Sequence, residues 1–168
     1  YLHKKTKNED TLYIVRNLLA RVYKEQNRIE DTIKEYSSLA KGKESQEKVL
    51  AYCEIIKIGL ELSDKDLIKK YYEKCKSIVS EFVESTLETF DIFYILAKGA
   101  KELGKIKETK AYYMEALVVG RVLKNLEKER VAIIGELFEV LDKSDFYSVQ
   151  SIEVEYLELL KTTKDYQG

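Results

Sequence analysis

The stretch LGKIKETKAYYMEAL, which runs from Leu103 to Leu117, decides the fold because its pattern returns elsewhere in the chain. Gly104 stands in front of a polar segment, two tyrosines follow, and an Ala-Leu pair ends the stretch. Such a segment predicts an amphipathic helix that begins after a glycine turn. The question is whether it is a single helix or one unit of a series.

The same arrangement occurs twice further upstream. Moving back 41 residues places Ser63 on Gly104 and Tyr72 on Tyr113, and moving back 36 more places Asn27 and Tyr36 there. A period in the thirties to forties is typical of stacked helical hairpins, which cannot bury their apolar faces singly. Small residues let the helices approach closely, and these are Ala97, Ala100 and Ala116. The turn residue and the tyrosine of each unit are therefore predicted to be structural.

Apolar residues recur at helical spacing along almost the whole chain, and no segment alternates with the period of a strand. The chain contains no proline, so nothing interrupts long helices. Short connections make neighbouring helices antiparallel. We therefore predict an all-α fold of eight helices in four hairpins, over residues 11–41, 46–83, 87–125 and 126–164.

Three helix starts have capping signals. Ser63 is predicted to be the N-cap of the fourth helix, and Ser85-x-x-Glu88 has the form of a capping box before the fifth. Ser144-Asp145 is predicted to cap the eighth helix. These signals predict where the fourth, fifth and eighth helices begin.

Composition narrows the class of partner. Hydrophobic residues are 45% of the chain, charged residues are 35% and the net charge is -1, which fits a globular protein without a field for nucleic acid or an anionic membrane. No apolar run has the length of a membrane span. Cys53 and Cys75 lack metal-type spacing and are expected to be reduced. We therefore expect a cytoplasmic protein that contacts neither nucleic acid nor membrane through this segment.

The third unit resembles the tetratricopeptide repeat (TPR) family in the order of its aromatic, small and turn residues. The matching residues are Phe93, Leu96-Ala97, Ala100, Gly104, Tyr113 and Ala116. Thr109 replaces the usual alanine, the proline after each repeat is absent, and the period exceeds the usual 34. The resemblance implies one TPR-like domain over residues 1–168, a right-handed superhelix of about four stacked antiparallel hairpins.

Long, proline-free repeats of this type also resemble the C-terminal domains of Gram-positive transcription regulators and peptide receptors called the RRNPP group. That resemblance implies a helix-turn-helix domain before the repeats. The chain opens on Tyr1 rather than on methionine, which favours the expectation that an N-terminal domain is missing. Receptors of this group hold a peptide backbone with asparagines, and Asn17 occupies a suitable position.

The first helix of each hairpin is expected to line a concave groove. Basic residues recur there at equivalent positions, and a basic groove would pair with a carboxylate or an acidic peptide. The alternative is a row of solvated charges without a ligand. The predicted peptide- or partner-binding groove comprises Asn17, Arg21, Lys24, Lys57, Tyr94, Lys98 and Lys101.

The last helix is more apolar than the end of a repeat array requires. Its predicted stripe comprises Val149, Ile152, Tyr156, Leu157 and Leu160, with Val154 and Leu159 outside it. An apolar outer face favours a covering partner, so we predict a homodimer through Val154, Tyr156 and Leu159. The alternative is that the last hairpin folds back on its own neighbour.

No catalytic, cofactor or metal pattern was found, and His3 is the one histidine. We therefore expect a binding protein and not an enzyme. The leading hypothesis is the ligand-sensing and oligomerisation domain of a bacterial transcription regulator. The alternatives are an autonomous TPR adaptor or scaffold without a DNA-binding role, and an accessory domain of an enzyme or an enzyme of unrecognised chemistry. Residues upstream of Tyr1 would separate the first two.

Overall fold

The computed structural model describes the backbone of residues 2–41, 45–79, 84–141 and 146–165, and the side chains of residues 11–41, 46–79, 84–141 and 149–162. Within these ranges α-helix is the only regular secondary structure besides turns, which confirms the all-α prediction. The helices are α1 (Leu2–Glu25), α2 (Ile29–Leu39), α3 (Ser45–Leu62), α4 (Lys65–Val79), α5 (Leu87–Glu102), α6 (Ile106–Val122), α7 (Glu127–Val140) and α8 (Phe146–Asp165).

Helix α1 begins about two and a half turns before its predicted start near residue 11, because the preceding residues carry no helix breaker although they lack an apolar face. None of the helices in the described ranges combines the length and the apolarity needed to cross a bilayer.

The chain divides into two compact units, Tyr1–Phe82 with helices α1 to α4 and Val83–Gly168 with helices α5 to α8. Within each unit, helices that follow one another in sequence pack against each other. The four predicted repeat units and their bounds stay a prediction. A single repeat domain over residues 1–168 stays a prediction.

In the first unit, α3 and α4 form an antiparallel pair. Gly59 near the end of α3 lies against Ile68 near the start of α4. At the other end of the pair, the Cys75 thiol lies 3.9 Å from the Val49 carbonyl oxygen. Tyr72, midway along α4, is fully buried, as a residue that fills the space between helices should be.

In the second unit, aromatic rings join α5 to α6. The Phe93 and Tyr112 rings lie 6.2 Å apart between centroids, and the Tyr94 and Tyr113 rings lie at the same separation. Tyr113 and Ala116 are completely buried, as the repeat pattern predicted.

The same type of turn ends α1, α3 and α5. Asn27, Ser63 and Gly104 have φ values of 57°, 55° and 69°, in the left-handed region. In each case the next residue's N–H bonds back to the carbonyl four residues before the turn residue, at 2.8 to 2.9 Å, which is the Schellman pattern. The prediction that these three residues end the helix at the same place is confirmed.

Two capping predictions were wrong by one residue. Ser63 ends α3 in the left-handed conformation, and the carboxylate of Asp64 instead caps α4, accepting the Leu67 N–H at 2.9 Å. Thr86 caps α5 in place of Ser85, and its hydroxyl accepts the Thr89 N–H at 3.2 Å. Extended backbone at Thr86 aims its side chain at the first turn. The predicted cap Ser144-Asp145 lies outside the described residues.

The stripe predicted for α8 is rotated in the structure. Ile152 and Leu159 are buried and Tyr156 is half-buried between them, whereas Leu157 is 58% exposed. Spacings of four and three residues keep the first three on one face, and Leu157 follows Tyr156 directly and so points away from them. Placing Leu157 in the stripe and Leu159 outside it was therefore wrong.

Candidate functional site

A cleft of about 640 Å³ lies in the first unit between α1, α2 and α3. It is lined mainly by polar and aromatic side chains over a smaller aliphatic part. Those residues are Tyr13, Asn17, Arg21, Lys24, Glu25, Tyr36, Leu39, Leu50, Ala51 and Glu54. Three of the seven predicted groove residues, all on α1, therefore line one cleft.

Helical spacing explains why these three residues converge. Asn17, Arg21 and Lys24 are separated by four and three residues, so α1 presents them on one face. Tyr36 from α2 is buried beside them, and Glu54 from α3 completes the polar lining. The cleft therefore depends on helices from two successive hairpins.

The basic side chains at the cleft differ in whether they already form an ion pair. The Lys24 ammonium donates to Glu61 at 2.8 Å, and the Lys57 ammonium donates to Glu54 at 2.6 Å. Arg21 is exposed and forms no hydrogen bond or ion pair with any residue whose side chain the structure describes. Arg21 is thus the cleft cation most available to an incoming anion.

Tyr36 remains protonated in this setting. Burial, with a smaller contribution from the Glu54 carboxylate, raises the pKa of its hydroxyl to about 12, and nearby Arg21 opposes the shift. The cleft therefore combines one available guanidinium, the Asn17 amide, a neutral phenol and aliphatic surface. Such groups can hold a carboxylate together with an adjacent peptide amide.

The predicted groove residues of the second unit lie on α5, where their contacts are internal. The Lys98 ammonium lies 4.9 Å from the centre of the Tyr94 ring, within cation–π distance. Lys101 donates to both Glu136 and Glu139, the latter at 2.5 Å, and the first of these bonds is the larger cause of its raised pKa. The Lys101 charge is thus compensated by two carboxylates of α7.

Lys24 and Lys101 occupy equivalent repeat positions and make equivalent contacts. Each joins the first helix of one hairpin to the first helix of the next, through Glu61 in one unit and through Glu136 and Glu139 in the other. The two lysines therefore form ion pairs between successive helix pairs of their own unit. Whether the seven groove residues bind a ligand stays a prediction.

A second charged cluster was not found from the sequence. Glu155 of α8 accepts hydrogen bonds from Arg121 of α6, at 2.6 and 3.0 Å, and from Arg130 of α7. Burial alone would raise the pKa of the Glu155 carboxyl, but the two guanidinium groups outweigh it and lower that pKa. No repeat position marks these three residues, so no sequence signal indicated their pairing.

The three predicted dimer residues have different surroundings. Val154 is 55% exposed, Tyr156 packs edge-on against Phe138 with 5.8 Å between ring centres, and Leu159 is buried. A homodimer through them stays a prediction.

No group of three or more potential metal ligands occurs in the described parts of the chain, and His3 lies outside the described side chains. No protein-family model matches the sequence, and no curated protein matches it.

Proposed function

We propose that this chain is a helical repeat domain that binds a protein or peptide, and that its ligand carries a carboxylate. The observation that supports this proposal is the cleft in the first unit, where Arg21 has no described ion-pair partner beside Asn17 and the neutral hydroxyl of Tyr36. A guanidinium can bind a carboxylate through two parallel hydrogen bonds, and an amide can hold a peptide backbone.

The test is capture of short peptides by the immobilised protein. A synthetic peptide library is presented with free carboxyl termini and, in parallel, with amidated termini, and retained peptides are identified by mass spectrometry. We expect free-carboxyl peptides to be enriched, and Arg21→Glu to reduce their affinity at least tenfold by reversing the local charge (about 1.4 kcal/mol or more).

Lys34→Glu is the matched control, because Lys34 is exposed on α2 and does not line the cleft. It makes the same change in net charge and should leave peptide capture unaltered. Equal retention by the wild-type protein and by Arg21→Glu would contradict the proposal, as would failure to enrich any peptide.

We further propose that the domain is the ligand-sensing part of a cytoplasmic bacterial transcription regulator, within a right-handed superhelix of about four hairpins. The support is the repeat pattern, the recurring Schellman turn and the equivalent contacts of Lys24 and Lys101. The natural full-length chain should then bind DNA in a gel-shift assay, with an affinity altered by a captured peptide. Absence of DNA binding by that chain would favour an autonomous adaptor.

A further inference from the structure

One face of α1 is apolar and uncovered. Six of its side chains are between 38% and 57% exposed, although leucine, isoleucine and valine are usually buried. We call this surface the α1 outer face, and it consists of Leu12, Ile14, Val15, Leu18, Leu19 and Val22. In the part of α1 whose side chains are described, only Ala20 is buried.

The spacing of these residues suits helix pairing. Leu12, Val15, Leu19 and Val22 follow one another at intervals of three, four and three residues, the spacing of a coiled-coil seam. Leu18 and the neighbouring Ile14 widen the stripe on one side. The six side chains therefore form one continuous surface and not scattered exposed residues.

The equivalent face of α3, in the second repeat unit, is buried. Thirty-six residues later, at the positions of Val15, Leu19 and Val22, α3 carries Ala51, Ile55 and Ile58. Those three residues are 3%, 0% and 1% exposed, and α3 packs against both α2 and α4. The face that is buried in the second hairpin is thus left open in the first. A further helix is the element that fits it.

We propose that this helix is α1 of a second copy, so that two chains associate through their α1 outer faces. The exposed parts of the six side chains amount to about 500 Å², hence about 1,000 Å² for two copies, which reaches the lower bound for a specific interface. Two identical apolar stripes satisfy the self-complementarity that a two-fold dimer requires. Polar neighbours of the stripe would add to this area as a rim.

The exposed area of apolar side chains argues against α8 as the dimer surface. Among the α8 residues whose side chains are described, only Val154 and Leu157 are both strongly apolar and exposed. Two such side chains expose about a third of the area of the α1 outer face, well short of a stable interface. The α1 outer face is therefore the larger apolar surface of the two.

Sedimentation equilibrium over a concentration series tests the proposal. The wild-type chain should approach twice 19.6 kDa as its concentration rises. The double variant Val15→Glu/Leu19→Glu places four carboxylates in the seam of a dimer, so its dissociation constant should rise at least tenfold. Both positions are exposed, and an unchanged circular dichroism melt would show that the variant folds.

Val154→Glu/Leu157→Glu is the matched control, since it makes the same charge change at two exposed residues of α8. It should dimerise like the wild type. A wild-type mass of 19.6 kDa at every concentration would overturn the proposal. So would a dimer that persists in the α1 variant and is lost in the α8 variant. The result is separate from peptide capture, because Arg21→Glu should leave dimerisation intact.

Discussion

At the scale of single residues, the helices approach each other most closely where the repeat has a small side chain. Gly59 and Ala100 are equivalent in the repeat, and both are buried. A Cβ atom built at Gly59 would lie 2.7 Å from Cγ1 of Ile68 and 3.3 Å from its backbone nitrogen. Glycine at this position therefore allows α4 to pack directly on α3.

We expect Gly59→Ala to destabilise the protein by about 1–3 kcal/mol, because the new methyl group forces Ile68 and its backbone to move. Gly135→Ala is the matched control on exposed helix surface, where a Cβ would meet no atom within 4 Å. That change should stabilise the protein by about 0.5–1 kcal/mol through helix propensity. Urea unfolding of both variants measures the difference. Equal stabilisation by both would show that α3 and α4 are less closely packed at Gly59 than the structure has them.

At the scale of elements, the N-cap residue fixes where a helix begins, and α5 is the example. Thr86 caps α5 and Ser85 does not, although Ser85 precedes a glutamate at the spacing of a capping box. The sequence offers two adjacent hydroxyl residues, and propensity does not choose between them. Backbone conformation at Thr86 makes the choice, because its extended φ and ψ bring the hydroxyl to the Thr89 N–H.

Thr86→Ala should cost about 1 kcal/mol of unfolding free energy, because the Thr89 N–H loses its acceptor. Ser85→Ala should change it by less than about 0.5 kcal/mol, as expected for an exposed residue without a capping bond. Thermal unfolding followed by circular dichroism compares the two variants. A larger loss of stability from Ser85→Ala than from Thr86→Ala would show that Ser85 is the N-cap.

At the scale of the whole molecule, ion pairs between residues distant in sequence connect the helices within each unit. Glu155 connects α6, α7 and α8 through Arg121 and Arg130, and its side chain is only 13% exposed. Its pKa is lowered in the folded protein from an ordinary value of 4.5. The ionised carboxylate is therefore bound more favourably in the folded state, so stability is gained above the unfolded pKa and lost as the pH falls through the folded pKa.

Glu155→Gln should lower the free energy of unfolding by about 1–2 kcal/mol at pH 7, because the largely buried Arg130 and the more exposed Arg121 lose their anion. The difference from wild type should shrink as the pH falls below 4.5, where the wild-type carboxyl also becomes neutral. Urea unfolding between neutral and acid pH measures this. Glu158→Gln on the exposed surface of α8 is the control, and a pH-independent deficit in Glu155→Gln would contradict the ion-pair explanation.

The sequence by itself determined the local structure. The eight helices of the described ranges, their approximate bounds and the turn residues Asn27, Ser63 and Gly104 follow from helical periodicity, the absence of proline and the conformational preferences of single residues. The burial of Tyr72 and Tyr113 also followed from the repeat. Interactions between residues a few positions apart suffice for the helices and their turns, whereas the burial of the two tyrosines was indicated by the repeat.

Only the tertiary structure decided which side chains meet. Lys101 is paired with two carboxylates whereas Arg21 has no described partner, although both were predicted to be cations of the groove. Leu159 rather than Leu157 is buried, and the apolar face of α1 remains uncovered. Periodicity states that a helix has an apolar face or a row of charges, but helix packing determines which neighbour, if any, is there to cover or neutralise it.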